Sequence, residues 1–159
     1  MVAEEEAPLS PRVKNRSEAI CTVIDMGSQR LIELPQRRDR RGNLTFIEGG
    51  DQVPFEIRRA YWIYEVPGGA SRGGHAYREL EEMFIALSGS FDVVLDEVEK
   101  QRTVSLNRSY LGLYVPALVW RQLDNFSTNA VCLILASRPY EPEDYLYDRD
   151  AWREVRNAS

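Results

Sequence analysis

His75 is the only histidine among 159 residues, and it stands in Arg72-Gly73-Gly74-His75-Ala76-Tyr77, with Glu81, Glu82 and Gly89 following. On a β-strand, residues i and i+2 share a face, so His75 and Tyr77 point the same way. An imidazole with an ordinary pKa of about 6.5 beside a phenol of about 10 is a workable base and acid pair. The same two residues also fit a plain core in which they are merely hydrogen-bonded. Arg72-Gly73-Gly74 weighs against that, because paired glycines let backbone and an anion approach closely. A second cluster runs through Gly112, Tyr114, Pro116, Trp120 and Arg121 to Asp124 and Asn125. An inward-pointing Arg121 puts a fixed cation in an apolar cavity, which is costly unless it meets an anion. The alternative is a pairing with Asp124 or Glu82 at the rim. The third signal is the arginine supply, 18 against only Lys14 and Lys100. Guanidinium grips phosphate in bidentate fashion. Arg58 and Arg59 precede Tyr61 and Trp62, so charge and stacking surface coincide in a way that suits a nucleotide diphosphate. The run from Arg37 to Arg41 reads as a solvated loop, except where Arg41 meets Gly42.

Short, regularly spaced strands must position these groups. Apolar or alternating runs fall at Ala19–Met26, Arg30–Leu34, Leu44–Glu48, Ile57–Glu65, Glu82–Ser88, Phe91–Leu95, Gln101–Leu106, Gly112–Val115, Trp120–Leu123 and Val131–Ser137. Such spacing predicts an antiparallel sandwich or barrel, hence an all-β fold. Leu87-Ser88-Gly89-Ser90-Phe91 predicts a tight turn, with Gly89 free to take a positive φ. Only the end, from Pro142 to Trp152, has helical character, with Glu143 and Asp144 in its first turn. Residues 1–18, polar and broken by Pro8 and Pro11, are expected to form a flexible tail, and 19–159 a single domain.

Composition removes several classes of function. A net charge of −5 argues against nucleic acid as a partner. No apolar run approaches the roughly 18–20 residues needed to span a bilayer, and the acidic start does not read as a secretory signal. Cys21 and Cys132 fall in strand-like stretches and read as free thiols of a reducing, cytoplasmic compartment. A single histidine excludes chemistry that needs two or three.

Residues 72–89 and 112–125 resemble the two signature motifs of the cupin superfamily. The first motif reads His-x-His, four residues, Glu, six residues, Gly; here it is His75, Ala76, Tyr77, then Glu82, then Gly89. In the second motif, counted from Pro116, the glycine, histidine and asparagine positions hold Leu118, Arg121 and Asn125. Metal-binding cupins use the two histidines, the glutamate and the third histidine as ligands. With Tyr77 and Arg121 in two of those places, no metal is expected. Within the superfamily the chain resembles the sugar-nucleotide 3,4-ketoisomerases at Arg58 to Tyr64, Arg72 to Ala76, Leu87 to Ser90 and Gly112 to Pro116. The same holds for Trp120-Arg121, Asn125 to Ser127, Leu135 to Ser137 and Glu143 to Tyr145. That resemblance covers roughly residues 20–150.

The resemblance implies a cupin jelly roll, a homodimer, and action on dTDP-4-keto-6-deoxyglucose in making deoxyamino sugars for bacterial surface polysaccharides. The family typically carries His-Ala-His where this chain has His75-Ala76-Tyr77. The implied chemistry moves the keto group from C4 to C3 through an enediol, and no cofactor is required. His75 is then the base at C3, Tyr77 bonds the sugar oxygens and relays a proton, and Arg121 steadies the enediolate. Arg59 and Arg72 are candidates for the diphosphate, Tyr61 or Trp62 for stacking on the base, and Glu82 for the substrate-binding shell. Arg41 is a candidate to close over the sugar. Two other readings stand beside this one: a non-catalytic sugar-nucleotide binder, and a metal-free 3,5-epimerase. The epimerases usually pair a histidine with a distant tyrosine and a lysine, and only Lys14 and Lys100 are present.

Overall fold

The computed structural model describes residues 22–159. The tail expected at 1–18, and Cys21, lie outside the described residues. Thirteen strands follow in chain order: β1 (Val23–Met26), β2 (Gln29–Glu33), β3 (Gln36–Asp39), β4 (Gly42–Thr45), β5 (Arg59–Tyr64), β6 (Arg72–Tyr77), β7 (Glu82–Ser88), β8 (Phe91–Asp96), β9 (Gln101–Leu106), β10 (Leu111–Val115), β11 (Trp120–Asp124), β12 (Val131–Ala136) and β13 (Tyr145–Leu146). One helix, α1 (Arg149–Asn157), closes the chain. A six-stranded sheet, ordered β1-β2-β10-β7-β12-β5, faces a five-stranded sheet, ordered β13-β6-β11-β8-β9. Every recorded pairing is antiparallel. This is the antiparallel sandwich that the alternating runs predict, in the jelly-roll form that the family resemblance implies.

The alternation on β8 shows why the sheets stack. Phe91, Val93 and Leu95 are buried while Asp92, Val94 and Asp96 are half-buried. The inward set meets Phe84, Leu113, Leu123 and Ile134 in the main core. β7 does not alternate, because both of its faces are covered. Phe84 and Ala86 look into the sandwich, whereas Met83 and Ile85 pack outward against Val53, Phe55 and Leu135. A strand buried on both faces reads as a continuous apolar run, and Met83-Phe84-Ile85-Ala86-Leu87 is one.

Beyond shifts of a few residues at strand ends, three elements differ from the sequence expectation. Arg37–Arg41 is part of the β3–β4 hairpin rather than a loop, although its side chains are exposed. A hairpin solvated on both faces carries no hydrophobic alternation to read. β6 is a strand despite its glycines, since it pairs with β11 on one side and β13 on the other. The single helix expected over Pro142–Trp152 is three elements: a 3-10 turn at Pro142–Asp144, the strand β13, and α1. Asp148 caps α1 by accepting from the Ala151 N–H at 2.8 Å, so the helix starts after it. Trp152 then plugs the helix into the fold, fully buried.

The β7–β8 turn is as expected, with Gly89 at φ +63°. A Cβ there would collide with Ser127 Oγ and lie 2.8 Å from Ala130 Cα. Gly89→Ala should therefore lose about 2–4 kcal/mol of stability, strain and clash together. Urea titration measures it, and an unchanged midpoint would show that the turn relaxes.

Candidate active site

β6, β11, β7 and β5 bring most of the sequence-nominated residues to one place. His75 on β6 lies directly across from Arg121 on β11. Tyr77, two residues along β6, packs edge-on against His75 with ring centroids 4.9 Å apart. Tyr61 reaches in from β5, and its hydroxyl donates to Glu82 Oε1 at 2.6 Å. His75, Arg121, Tyr77 and Tyr61 line a cavity of about 470 Å³ together with Arg72 and Trp62.

Arg121 is inside the protein, not at the rim. Its Nε and Nη2 donate to Glu82 Oε2 at 2.7 and 2.6 Å, with the two side chains 4% and 1% exposed. Burial works against its charge, but Glu82 and the Tyr77 and Tyr61 oxygens outweigh burial and hold the guanidinium ionised. Nη1 donates to the Gly73 and His75 carbonyls at 3.1 and 3.3 Å. The guanidinium thus fixes the β6 backbone under His75, and it lies 4.6 Å from the centre of the Tyr77 ring. Glu82 spends both oxygens on Arg121 and Tyr61. The structure thus sets Glu82, expected in the substrate-binding shell, inside the protein as the counterion that makes a buried arginine tolerable.

Arg41, expected to close over the sugar, is not brought to this cavity within one chain. Its guanidinium is 91% exposed and paired with Asp39 at 2.8 Å. The hairpin that carries it lines a different cavity, with Ile85 and Leu133 on the outer face of the six-stranded sheet. The His75 cavity lies on the inner face, beside Phe84 and Ile134. Within one chain the sheet stands between them. On β5 the alternation separates Tyr61, which faces the cavity, from Trp62, which is 60% exposed. Arg59 lies 4.7 Å over the Tyr61 ring and 5.6 Å from that of Tyr140.

The electrostatics set the protonation states. Burial, reinforced by the Arg121 charge, pushes His75 down to about 3, so the imidazole is neutral at pH 7. Burial and the Glu82 charge push the Tyr77 and Tyr61 phenols well above their usual range. Tyr77 is thus a hydrogen-bond donor and not a base. Unfolding releases His75 to an ordinary pKa near 6.5, so below that pH the unfolded chain binds a proton that the folded chain refuses. Stability must fall with falling pH, by up to about 1.4 kcal/mol per unit. No second histidine shares the window. Urea midpoints should drop between pH 6.5 and 5 in the natural chain and flatten in His75→Asn; equal slopes would contradict the burial argument.

Among the described residues, no group of three or more His, Cys, Asp or Glu side chains is arranged to hold a metal ion. Two aromatic groups at the site were not nominated from the sequence. Tyr145 and Tyr147 stand against His75, with centroids 4.9 and 5.5 Å from the imidazole. The available signal was three tyrosines in eight residues, Tyr140, Tyr145 and Tyr147, with the last two at strand spacing.

Fold and site define the class: a cupin-type jelly roll whose cavity offers one neutral imidazole and buried phenols. The family described as FdtA: WxcM-like, C-terminal, matches residues 27–157, and the chain belongs to it. It is 36% identical, over 73% of its length and 84% of the relative's, to a TDP-4-oxo-6-deoxy-alpha-D-glucose-3,4-oxoisomerase from Aneurinibacillus thermoaerophilus. It is also similar to the sugar 3,4-ketoisomerase QdtA of Thermoanaerobacterium thermosaccharolyticum, solved in complex with TDP. That match has 34% identity and a TM-score of 0.81, covering 82% of this chain and 96% of that one. A third relative, the TDP-quinovose 3,4-ketoisomerase WlaRB of Campylobacter jejuni, is 36% identical with a TM-score of 0.78, covering 81% and 99%. The relatives are metabolic isomerases, and this chain is a sugar-nucleotide 3,4-ketoisomerase of the same kind.

Proposed function

We propose that the chain converts a dTDP-linked 4-keto-6-deoxyhexose to its 3-keto isomer, without a metal. The observation that carries this reading is the neutral His75 imidazole, its Nε2 buried with no hydrogen-bond partner, facing a cavity that also holds the Tyr77 phenol. The C3 hydrogen is acidic because it is α to the C4 carbonyl. His75 takes that proton, the C–H electrons become the C3–C4 double bond, and O4 gains a proton to give the enediol. Return of the proton to C4 and loss of the O3 proton leave the ketone at C3. Two protons thus move, one between carbons and one between oxygens. His75 serves the first, and Tyr77 serves the second by donating to O4 while accepting from O3. A neutral imidazole depressed by burial, and further by a nearby cation, is a weak base. The substrate's anionic diphosphate and the developing enediolate offset the Arg121 charge once bound.

Arg59 and Arg72 suit the diphosphate, and Tyr61 is the aromatic surface facing inward. Three solvent-exposed apolar groups, Trp62, Tyr64 and Leu87, lie on the outer face of the six-stranded sheet near Leu133. Together with the free edge of β5 they support a homodimer; light scattering should give twice the chain mass. No helix among the described residues is long and apolar enough to cross a membrane. The reading places the enzyme in the cytoplasm, in deoxyamino-sugar synthesis for surface polysaccharide.

The reaction itself is tested by carbon NMR with substrate labelled at C3 and C4. The ketone resonance should move from C4 to C3. A bound but unchanged sugar nucleotide would sink the reading.

A further inference from the structure

The segment from Asp144 to Tyr147 is tied to the strand that carries His75 more firmly than its length requires. Tyr145 and Leu146 pair with Tyr77 and Ala76. The Asp144 carboxylate accepts from the Glu79 and Leu80 N–H groups at 2.9 and 3.0 Å, and its carbonyl accepts from the Arg78 N–H at 2.9 Å. Leu146 is buried with Ala76, Trp120 and Trp152, and the Trp152 indole donates to the Leu118 carbonyl at 2.9 Å. At the end of this fixed segment stands Tyr147, which is 67% exposed. Its ring stacks on Tyr145, 5.3 Å away at 15°, and both rings face His75. An aromatic ring at the end of that anchored segment, open to solvent on one side and to the cavity on the other, has the geometry of a wall.

We propose that Tyr147, backed by Tyr145, is the water-excluding wall of the sugar site, screening the protonated His75 and the enediol until the proton reaches C4. The inference rests on the isomerase reading above. Once His75 holds the C3 proton, two fates compete. Delivery to C4 gives product, whereas exchange with solvent followed by return to C3 gives back substrate carrying a solvent hydrogen. Excluding water favours the first fate. Aromatic rings with centroids 4.9 and 5.5 Å from the imidazolium also stabilise that cation while it lasts. The proton goes from C3 to His75 to C4, and the protein ends as it began.

The experiment follows conversion of the 4-keto-6-deoxy sugar nucleotide in D2O with the full chain, Tyr147→Ala and Tyr147→Phe. The quantity read is deuterium gained at C3 of recovered substrate per molecule of product. Tyr147→Ala should raise this ratio several-fold, and Tyr147→Phe, which keeps the ring, should leave it at the value of the natural chain. An alanine variant with an unchanged ratio overturns the wall. So does a phenylalanine variant that behaves like alanine, because the hydroxyl would then be the acting group. A natural chain that neither exchanges nor converts overturns the isomerase reading and the wall with it, so the two failures are told apart.

Discussion

His75→Asn should lower turnover by about a thousandfold or more while leaving the dissociation constant for dTDP nearly unchanged. Removal of a general base typically costs about a hundred- to ten-thousandfold, and no second imidazole exists to substitute. Tyr77 cannot take over, because burial and the Glu82 charge keep its phenol protonated far above neutrality. Asparagine is close in size, so the cavity and the three tyrosine rings around position 75 stay in place. Calorimetry with dTDP and a steady-state assay separate binding from chemistry. A variant that still turns over at a tenth of the natural rate would remove His75 from the proton transfer.

The second large effect is on stability. Arg121→Met should lose about 3–5 kcal/mol, because it leaves Glu82 as an unpaired charge almost wholly out of water. That is a large share of the roughly 5–15 kcal/mol that holds a typical domain together. The double change Arg121→Met with Glu82→Met should recover most of the loss, since two apolar groups need no partner. Activity should not recover with it. The Gly73 and His75 carbonyls would lose their shared donor, and the β6 backbone that carries His75 would lose that anchor. Urea denaturation and the steady-state assay together decide the point. A single variant with an unchanged midpoint, or a stable double variant with full activity, would contradict the role given to this ion pair.

The legible parts of the fold were those with a buried face. Phe91, Val93 and Leu95 announce β8 because one side meets the core and the other meets water. Strands β3 and β13 were hidden for the opposite reason. Four arginines around Asp39 give no alternation, and Tyr145–Leu146 sits between a proline-acidic stretch and a helix, both of which favour a helical reading. At the site, His75, Tyr77 and Arg121 could be named because the spacing of the cupin motif survives around them. Their relations could not be read. The sequence admits Arg121 paired at the rim or pointing inward, whereas the fold points it inward and pairs it with Glu82 there. Arg41 shows the limit most clearly. Its neighbour Gly42 suggests a close approach, but nothing local says which side of a six-stranded sheet the hairpin will lie on.

The most direct test of the central claim is proton NMR of dTDP-4-keto-6-deoxyglucose with the natural chain in D2O. The 3-keto isomer should appear, with deuterium entering only at C3 of the remaining substrate or C4 of the product, and none at C5. Deuterium at C5, or a sugar nucleotide that binds and remains unchanged, would contradict the account.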